Sequence, residues 1–299
     1  MIRCEAVTKS FGKNKALNNC SFEISGPTLT GVIGVNGAGK TSLFKTLAGF
    51  LKPSSGGAYV LDQPTFQNMT VARNLILIEE GMTFYPNAVL SELVDSYHRF
   101  YENFNKPLAQ KLMDYFHLNP SQPYQKLSKG MASRFRVVLA LAAQAPITLL
   151  DEPNTGMDPS MRKELYQLIL KDYIKNPRIM LISSHYLGEM EQILEEILLI
   201  HKGAVMKHDR LESFQSSLIS LQGRPEKIAA LEKKVKTYDQ KDYGPGKRQI
   251  ILLKSDFEGL CLSEEEKQRE LEVKGISSED CFIYLTQQKG GNIHDIYDA

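Results

Sequence analysis

An α/β fold with a mostly parallel sheet, a helical insert and a small second α/β unit is what this sequence predicts. Three observations carry the prediction. Up to about Arg210, short apolar runs of strand length alternate with stretches of helical periodicity. One apolar run ends in a glycine-rich turn that opens a helix. Beyond Arg210 the chain turns into shorter and more charged segments.

The elements follow in order. Ile2–Val7, Cys20–Ile24, Leu29–Gly34 and a run near Ala58–Leu61 read as strands, and Lys40–Ala48 reads as a helix. From Leu90 to about Phe116 the pattern is helical, with Leu93, Tyr97, Phe100, Tyr101 and Phe104 at spacings of three and four. Met131–Gln144 is a helix running into a buried strand, Ile147–Asp151. A helix over about Pro159–Ile174, a strand at Ile179–Ser183, a helical stretch at Glu189–Leu194 and a strand at Ile197–Lys202 complete the alternation. Strands separated by helices imply a parallel sheet, interrupted by a helical insert at roughly 84–143. A boundary falls between 212 and 213. Ser213–Ser220 and Gly223-Arg-Pro225 read as a linker, Glu226–Lys236 as a charged helix, Asp242–Gly246 as a loop and Gln249–Lys254 as a strand. An acidic stretch, Glu264–Glu272, and an amphipathic segment, Glu279–Gln287, close the 213–299 unit. Within the charged helix, Leu231–Val235 reads as a solvated face, with dimer contact or regulation as the alternative.

Composition narrows the function. With 36 Lys and Arg against 35 Asp and Glu, the chain is no polycation, and nucleic acid is not an expected partner. Cys4, Cys20, Cys261 and Cys281 show no metal spacing and read as reduced thiols. No signal region opens the chain and no apolar run reaches the roughly 18 residues of a membrane span. A membrane role would therefore come through a partner.

Gly34-Val-Asn-Gly-Ala-Gly39-Lys40-Thr41 matches G-x-x-x-x-G-K-[ST] in full, after an apolar strand and at the start of a helix. Glycines let successive backbone N–H groups curl around a phosphate, and the helix dipole adds positive potential there. Asn36, Gly37, Ala38, Gly39, Lys40, Thr41 and Ser42 are thus the candidate nucleotide-binding loop. Lys40 brings charge to the β- and γ-phosphates, and the Thr41 hydroxyl takes a Mg²⁺ position. The strand Ile147–Asp151 ends in two carboxylates: Asp151 is a candidate for the Mg²⁺ shell and Glu152 for polarising the attacking water.

Leu127-Ser128-Lys129-Gly130-Met131 opens the next helix, 88 residues after Lys40 and 23 before Asp151, counted at Ser128. Asn154-Thr-Gly-Met-Asp158 and Ser184-His185 follow. Together these motifs resemble the ATP-binding subunits of ABC-type transporters, over about residues 1–210. The resemblance implies a P-loop NTPase domain with a mixed sheet core and a helical subdomain. It further implies ATP and Mg²⁺ as cofactors, and a homodimer or heterodimer docked on integral-membrane permease subunits at the cytoplasmic face of the membrane. It assigns Ser128 and Gly130 to the ATP of the opposite subunit, and Asp158 to the connection between the two sites. His185 becomes the residue that senses the γ-phosphate, and Phe11 the ring that stacks on adenine, a core aromatic being the alternative for Phe11.

Departures from that pattern are informative. The glutamine that usually precedes the helical insert is missing; Glu80 takes its place, with Glu79 as runner-up, and both also read as solvated strand-end residues. A carboxylate there reaches a metal shell but donates no hydrogen bond when ionised. Lys129 and Met131 replace Gly and Gln of the usual signature, so weakened activation across the dimer is expected. Phe84 and Tyr85 read either as a pocket for a permease helix or as core. Ser-Lys-Gly-Met, the glutamate and the appended C-terminal unit are similar to a Gram-positive subset of exporters for antibiotic and cytolytic peptides. Rival readings are a non-transport ABC ATPase, a catalytically silent regulatory subunit and a P-loop kinase.

Overall fold

A computed structural model describes residues 1–185, 187–244, 246–260 and 271–286. The chain divides into two compact units, Met1–His208 and Asp209–Ala299.

In the first unit, β1 (Ile2–Phe11), β2 (Asn14–Ile24), β4 (Ser55–Val60) and β5 (Gln63–Pro64) form an antiparallel sheet in the order β2-β1-β4-β5. A six-stranded sheet holds β3 (Thr28–Ile33), β6 (Leu75–Ile78), β7 (Ile147–Asp151), β8 (Ile179–Ser184), β9 (Glu196–His201) and β10 (Ala204–Arg210) in the order β10-β9-β3-β8-β7-β6. From β9 to β6 its neighbours are parallel. Every residue of β3, β6, β7 and β8 is buried, the unbroken burial expected where both faces of a parallel sheet are covered. One apolar cluster joins Ile2, Val7 and Phe22 of the antiparallel sheet to Leu43, Phe44 and Leu47 of α1 (Lys40–Leu47) and to Val32, Leu149 and Leu181 of the parallel sheet. The helix that starts at the glycine-rich loop is thus clamped by apolar contact on its inner side, which fixes where its N-terminus points.

The insert holds α3 (Leu90–Phe100), α4 (Lys106–Tyr115) and α5 (Lys129–Ala143), preceded by a short α2 (Met69–Asn74) and β6. The single helical stretch expected from Leu90 to Phe116 is two helices, because Asn105 caps a new start by accepting from the Leu108 N–H at 2.9 Å. Phe84 is half-buried and packs edge-on against Tyr124 with ring centres 4.6 Å apart; Tyr85 is 52% exposed and so is not core. After β7 come α6 (Pro159–Lys175) and α7 (Leu187–Met190), and the helical stretch expected at Glu189–Leu194 divides between α7 and a 3₁₀ turn at Glu191–Ile193.

The second unit runs α8 (Leu211–Gln215), β11 (Leu218–Gly223), α9 (Pro225–Glu232), β12 (Thr237–Asp242), β13 (Arg248–Leu253), α10 (Lys254–Glu258), β14 (Leu271–Gly275) and α11 (Ser278–Thr286). Its antiparallel order β12-β13-β11-β14 is the split β-α-β-β-α-β arrangement. The linker expected at Ser213–Ser220 is overturned: this segment supplies α8 and central β11, whose Leu218, Ile219 and Leu221 are buried. Serines before and within a short apolar run masked a strand. Ile228 and Leu231 of α9 pack on Ile219, Leu221, Ile250 and Leu252, so Leu231 belongs to the core rather than a solvated face. Of the acidic stretch Glu264–Glu272, residues 264–270 lie outside the described residues, as do Cys261 and Gln287; Cys4, Cys20 and Cys281 are buried thiols.

Candidate functional site

The loop from Gly34 to Thr41 joins β3 to α1, and the geometry of Gly39 explains the need for glycine. Its φ is +111°, and a Cβ there would stand 2.5 Å from the Ala16 carbonyl oxygen. Lys40 is 7% exposed, and its ammonium donates to the Gly34 carbonyl at 2.7 Å. Phe11, Asn36, Gly37, Ala38, Gly39, Lys40, Thr41, Ser42 and Glu152 share the lining of one cleft of about 420 Å³. Phe11 is 51% exposed at its rim and so is no core aromatic. The Lys9 ammonium lies 5.1 Å from its ring centre.

Pairing in register between β7 and β8 places Asp151 opposite Ser183. The Ser183 hydroxyl donates to Asp151 Oδ1 at 2.5 Å, and Thr41 donates to Oδ2 at 2.6 Å. One step on, the chain leaves the strand. Glu152 has φ +47°, a left-handed conformation that side-chain-bearing residues adopt only where the surroundings hold it. Here its N–H donates to Ser183 Oγ at 3.0 Å and its carbonyl accepts from Thr155 Oγ1 at 2.9 Å. That turn sends the carboxylate to Lys40, 3.5 Å from Oε1, and to His185 Nδ1, 3.0 Å from Oε2. The two adjacent acids are therefore separated by direction: Asp151 faces the Thr41 hydroxyl, and Glu152 faces two nitrogen groups.

These residues fit a magnesium ion that also binds a substrate phosphate. Mg²⁺ takes hard oxygen ligands and is commonly held by one or two carboxylates, waters and phosphate oxygens. Thr41 and Asp151 offer such a hydroxyl–carboxylate pair, and no cluster of three or more His, Cys, Asp or Glu forms a separate cage among the described residues. Glu80, expected beside them, does not join: it is exposed, and within the described residues its carboxylate takes no part in the Thr41–Asp151 network. Its neighbour Glu79 pairs with Lys45 of α1 at 2.9 Å.

The second predicted anion-facing element is the start of α5. Ser128 is exposed and caps the helix, accepting from the Met131 N–H at 3.2 Å. Gly130, expected to face a phosphate, is buried; a Cβ there would meet the Gly156 carbonyl oxygen at 2.5 Å, so this glycine serves the close approach of α5 to the 154–158 loop. Asp158 caps α6 by accepting from the Met161 N–H at 3.0 Å, which holds its carboxyl below the usual range.

Sequence reasoning missed two residues. Ser183 donates to the Asp151 carboxylate and accepts from the Glu152 N–H, and its signal was a serine pair ending an otherwise apolar strand just before His185. Arg136, 5% exposed in the middle of α5, bonds the Glu80 carbonyl at 2.8 Å; a lone arginine in a helix carries no signal of burial.

Comparison with known proteins gives the family. Residues 17–155 match the ABC transporter family. An ABC transporter ATP-binding protein of Bacillus subtilis, YcbN, is 30% identical over 218 residues, 71% of this chain and 70% of that protein. The bacitracin transport ATP-binding protein BcrA of Bacillus licheniformis is 28% identical over 69% of each. A solved ATP-binding cassette, a dimer bound to ADP and phosphate, shares the fold with a TM-score of 0.62 at 20% identity, covering 71% of this chain and 99% of that one. No helix among the described residues is long and apolar enough to cross a membrane. The chain belongs to the ABC transporter family of ATP-binding proteins and is an ATPase.

Proposed function

We propose that this ATPase powers an exporter of peptides or peptide antibiotics, working as a homodimer or heterodimer on integral-membrane permease subunits at the cytoplasmic face of the membrane. The observation that carries its catalytic part is the placing of Lys40 and His185 on either side of the Glu152 carboxylate beside the phosphate loop, at 3.5 and 3.0 Å. The peptide-antibiotic cargo is supported by the likeness to the bacitracin transport protein BcrA, and export by the Ser128-Lys-Gly-Met131 signature and the appended second unit.

In this mechanism the N–H groups of 36–42 cradle the phosphates and Phe11 stacks on the adenine. Lys40 moves its donors from the Gly34 carbonyl to the β- and γ-phosphates. Thr41 and Asp151 hold Mg²⁺, which when bound neutralises phosphate charge. Glu152 accepts a hydrogen bond from the attacking water and aligns it with the γ-phosphorus, while His185 holds the Glu152 carboxylate and contacts the γ-phosphate. Ser128, at the positive end of α5, faces the nucleotide of the opposite subunit. Glu80, just after β6, acts through its backbone carbonyl, held by Arg136, and not as a metal ligand. Loss of the bridging γ-phosphate releases the two subunits from each other.

Light scattering on purified Glu152→Gln protein tests the dimer. A mass that doubles only with Mg-ATP is expected; a chain that stays monomeric with ATP bound rules out self-pairing, and one that binds no ATP sinks the whole reading. Proteoliposomes holding the chain with its permease test direction: ATP-driven movement of a peptide antibiotic away from the ATPase side is expected, and movement toward it refutes export.

A further inference from the structure

We infer that Arg136 is a positioning residue that ties the segment leaving β6 to the backbone of Glu152, an inference that rests on Glu152 being the hydrolytic carboxylate. Its guanidinium is 5% exposed and makes no ion pair with a carboxylate among the described residues. Instead it donates to three neutral oxygens: the Glu80 carbonyl at 2.8 Å, the Tyr124 hydroxyl at 3.3 Å and the Ser133 hydroxyl at 2.7 Å. Burying a cation among neutral partners is costly, and an apolar side chain of similar volume commonly packs as well or better. Packing alone therefore gives little reason for an arginine here.

Geometry gives one. A hydroxyl can accept from one neighbour while donating to another. Ser133 does both, accepting from Arg136 and donating to the Thr155 carbonyl at 2.8 Å. Thr155 in turn donates through Oγ1 to the Glu152 carbonyl at 2.9 Å. A continuous run of hydrogen bonds thus leads from Glu80 through Arg136, Ser133 and Thr155 to the residue held at φ +47°. On the other side, Glu79 is paired with Lys45 of α1. The strand end at 79–80 is consequently held by the phosphate-loop helix through one residue and by α5 through the next. A displacement of this strand end changes the Glu80–Arg136 bond and, through Ser133 and Thr155, the direction of the Glu152 carboxylate. Arg136 touches no reacting atom; it acts through the backbone that aims one.

The test uses the full chain, with steady-state ATP hydrolysis and fluorescent-nucleotide affinity measured on the parent, Arg136→Met, Arg136→Lys, Ser133→Ala and the Arg136→Met/Ser133→Ala pair. Arg136→Met is expected to lower kcat at least about fivefold with nucleotide Kd within about twofold, because misdirection of a reacting group affects rate more than binding. Arg136→Lys, which keeps a donor, is expected to fall between parent and Met. The double variant is expected to be no worse than Arg136→Met by more than about twofold, as members of one network are not additive. Parent-like kcat in Arg136→Met, a lysine variant no better than methionine, a fully additive double variant, or Kd weakening in step with kcat overturns the inference. Should Arg136→Met fail to fold, Ser133→Ala decides: a fall in kcat at retained Kd supports the relay, and parent-like kcat refutes it. A parent that hydrolyses no ATP sinks the functional reading together with this one, whereas an active parent with parent-like variants overturns the relay alone.

Discussion

Two helix N-termini in this molecule carry glycine-containing, phosphate-type sequences, and they are built in opposite ways. At α1 the chain closes on itself: Lys40 is buried, the loop lines a cleft with Glu152, and Gly39 is pressed against the Ala16 carbonyl. At α5 the cap residue Ser128 is exposed, and the glycine two residues on, Gly130, is turned inward onto Gly156. The first is a binding site completed within one chain. The second is a surface positioned by the first site's own loop, since the 154–158 segment that supports Gly130 begins two residues after Glu152. An anion-binding motif is thus not the same object as an anion site; what differs is whether the rest of the chain folds around it.

Variants should separate the two regions. The largest effect is expected from Lys40→Ala and Glu152→Gln, each lowering hydrolysis about 100- to 10,000-fold. Only the lysine variant is expected to lose nucleotide affinity as well, and equal loss of affinity in both would undo the division of roles at the first site. Next come the two glycines. Gly39→Ala must shift backbone at the loop and should weaken nucleotide binding at least about tenfold; Gly130→Ala should leave that affinity within about threefold while slowing turnover, as its new methyl group pushes α5 off the 154–158 loop. Titration with a fluorescent nucleotide distinguishes them, and weakened binding in Gly130→Ala would mean that the two N-termini are not independent. Ser128→Ala removes a helix cap and should cost about 1 kcal/mol of stability, seen as a lowered melting temperature, with nucleotide affinity of the single chain unchanged. The smallest effect is expected from Glu80→Gln. Its carboxylate is exposed and its carbonyl, not its side chain, is the group bonded to Arg136, so turnover should change less than about threefold. A larger change in turnover would return Glu80 to the metal shell.

Much of this is legible in the amino-acid sequence. The phosphate loop was plain because G-x-x-x-x-G-K-T between a strand and a helix records a backbone requirement in residue identity. The strand ending in Asp151-Glu152 was plain for a similar reason: a short, mostly apolar run, Ile147-Thr-Leu-Leu150, that stops at two charges suits a buried strand of a parallel sheet. The second unit was harder. Its β11 contains Ser220 and Gln222 among buried leucines and follows a serine-rich stretch, so local composition suggested a linker where the register with β13 and β14 makes a central strand. Strand pairing is a long-range contact, and local sequence carries only half of it.

What the sequence by itself determined is where the candidate nucleotide groups lie along the chain: Lys40, Thr41, Asp151, and the N–H groups that the glycines free. What only the tertiary structure decided is how neighbouring residues with similar chemistry are given different work. Asp151 and Glu152 are adjacent acids, yet one faces Thr41 and the other Lys40 and His185, because Ser183 binds one by its side chain and the other by its N–H. Glu79 and Glu80 are likewise adjacent, yet one binds by its carboxylate to Lys45 and the other by its carbonyl to Arg136. The direction a side chain takes is set by partners tens of residues away, and sequence spacing does not encode those distances.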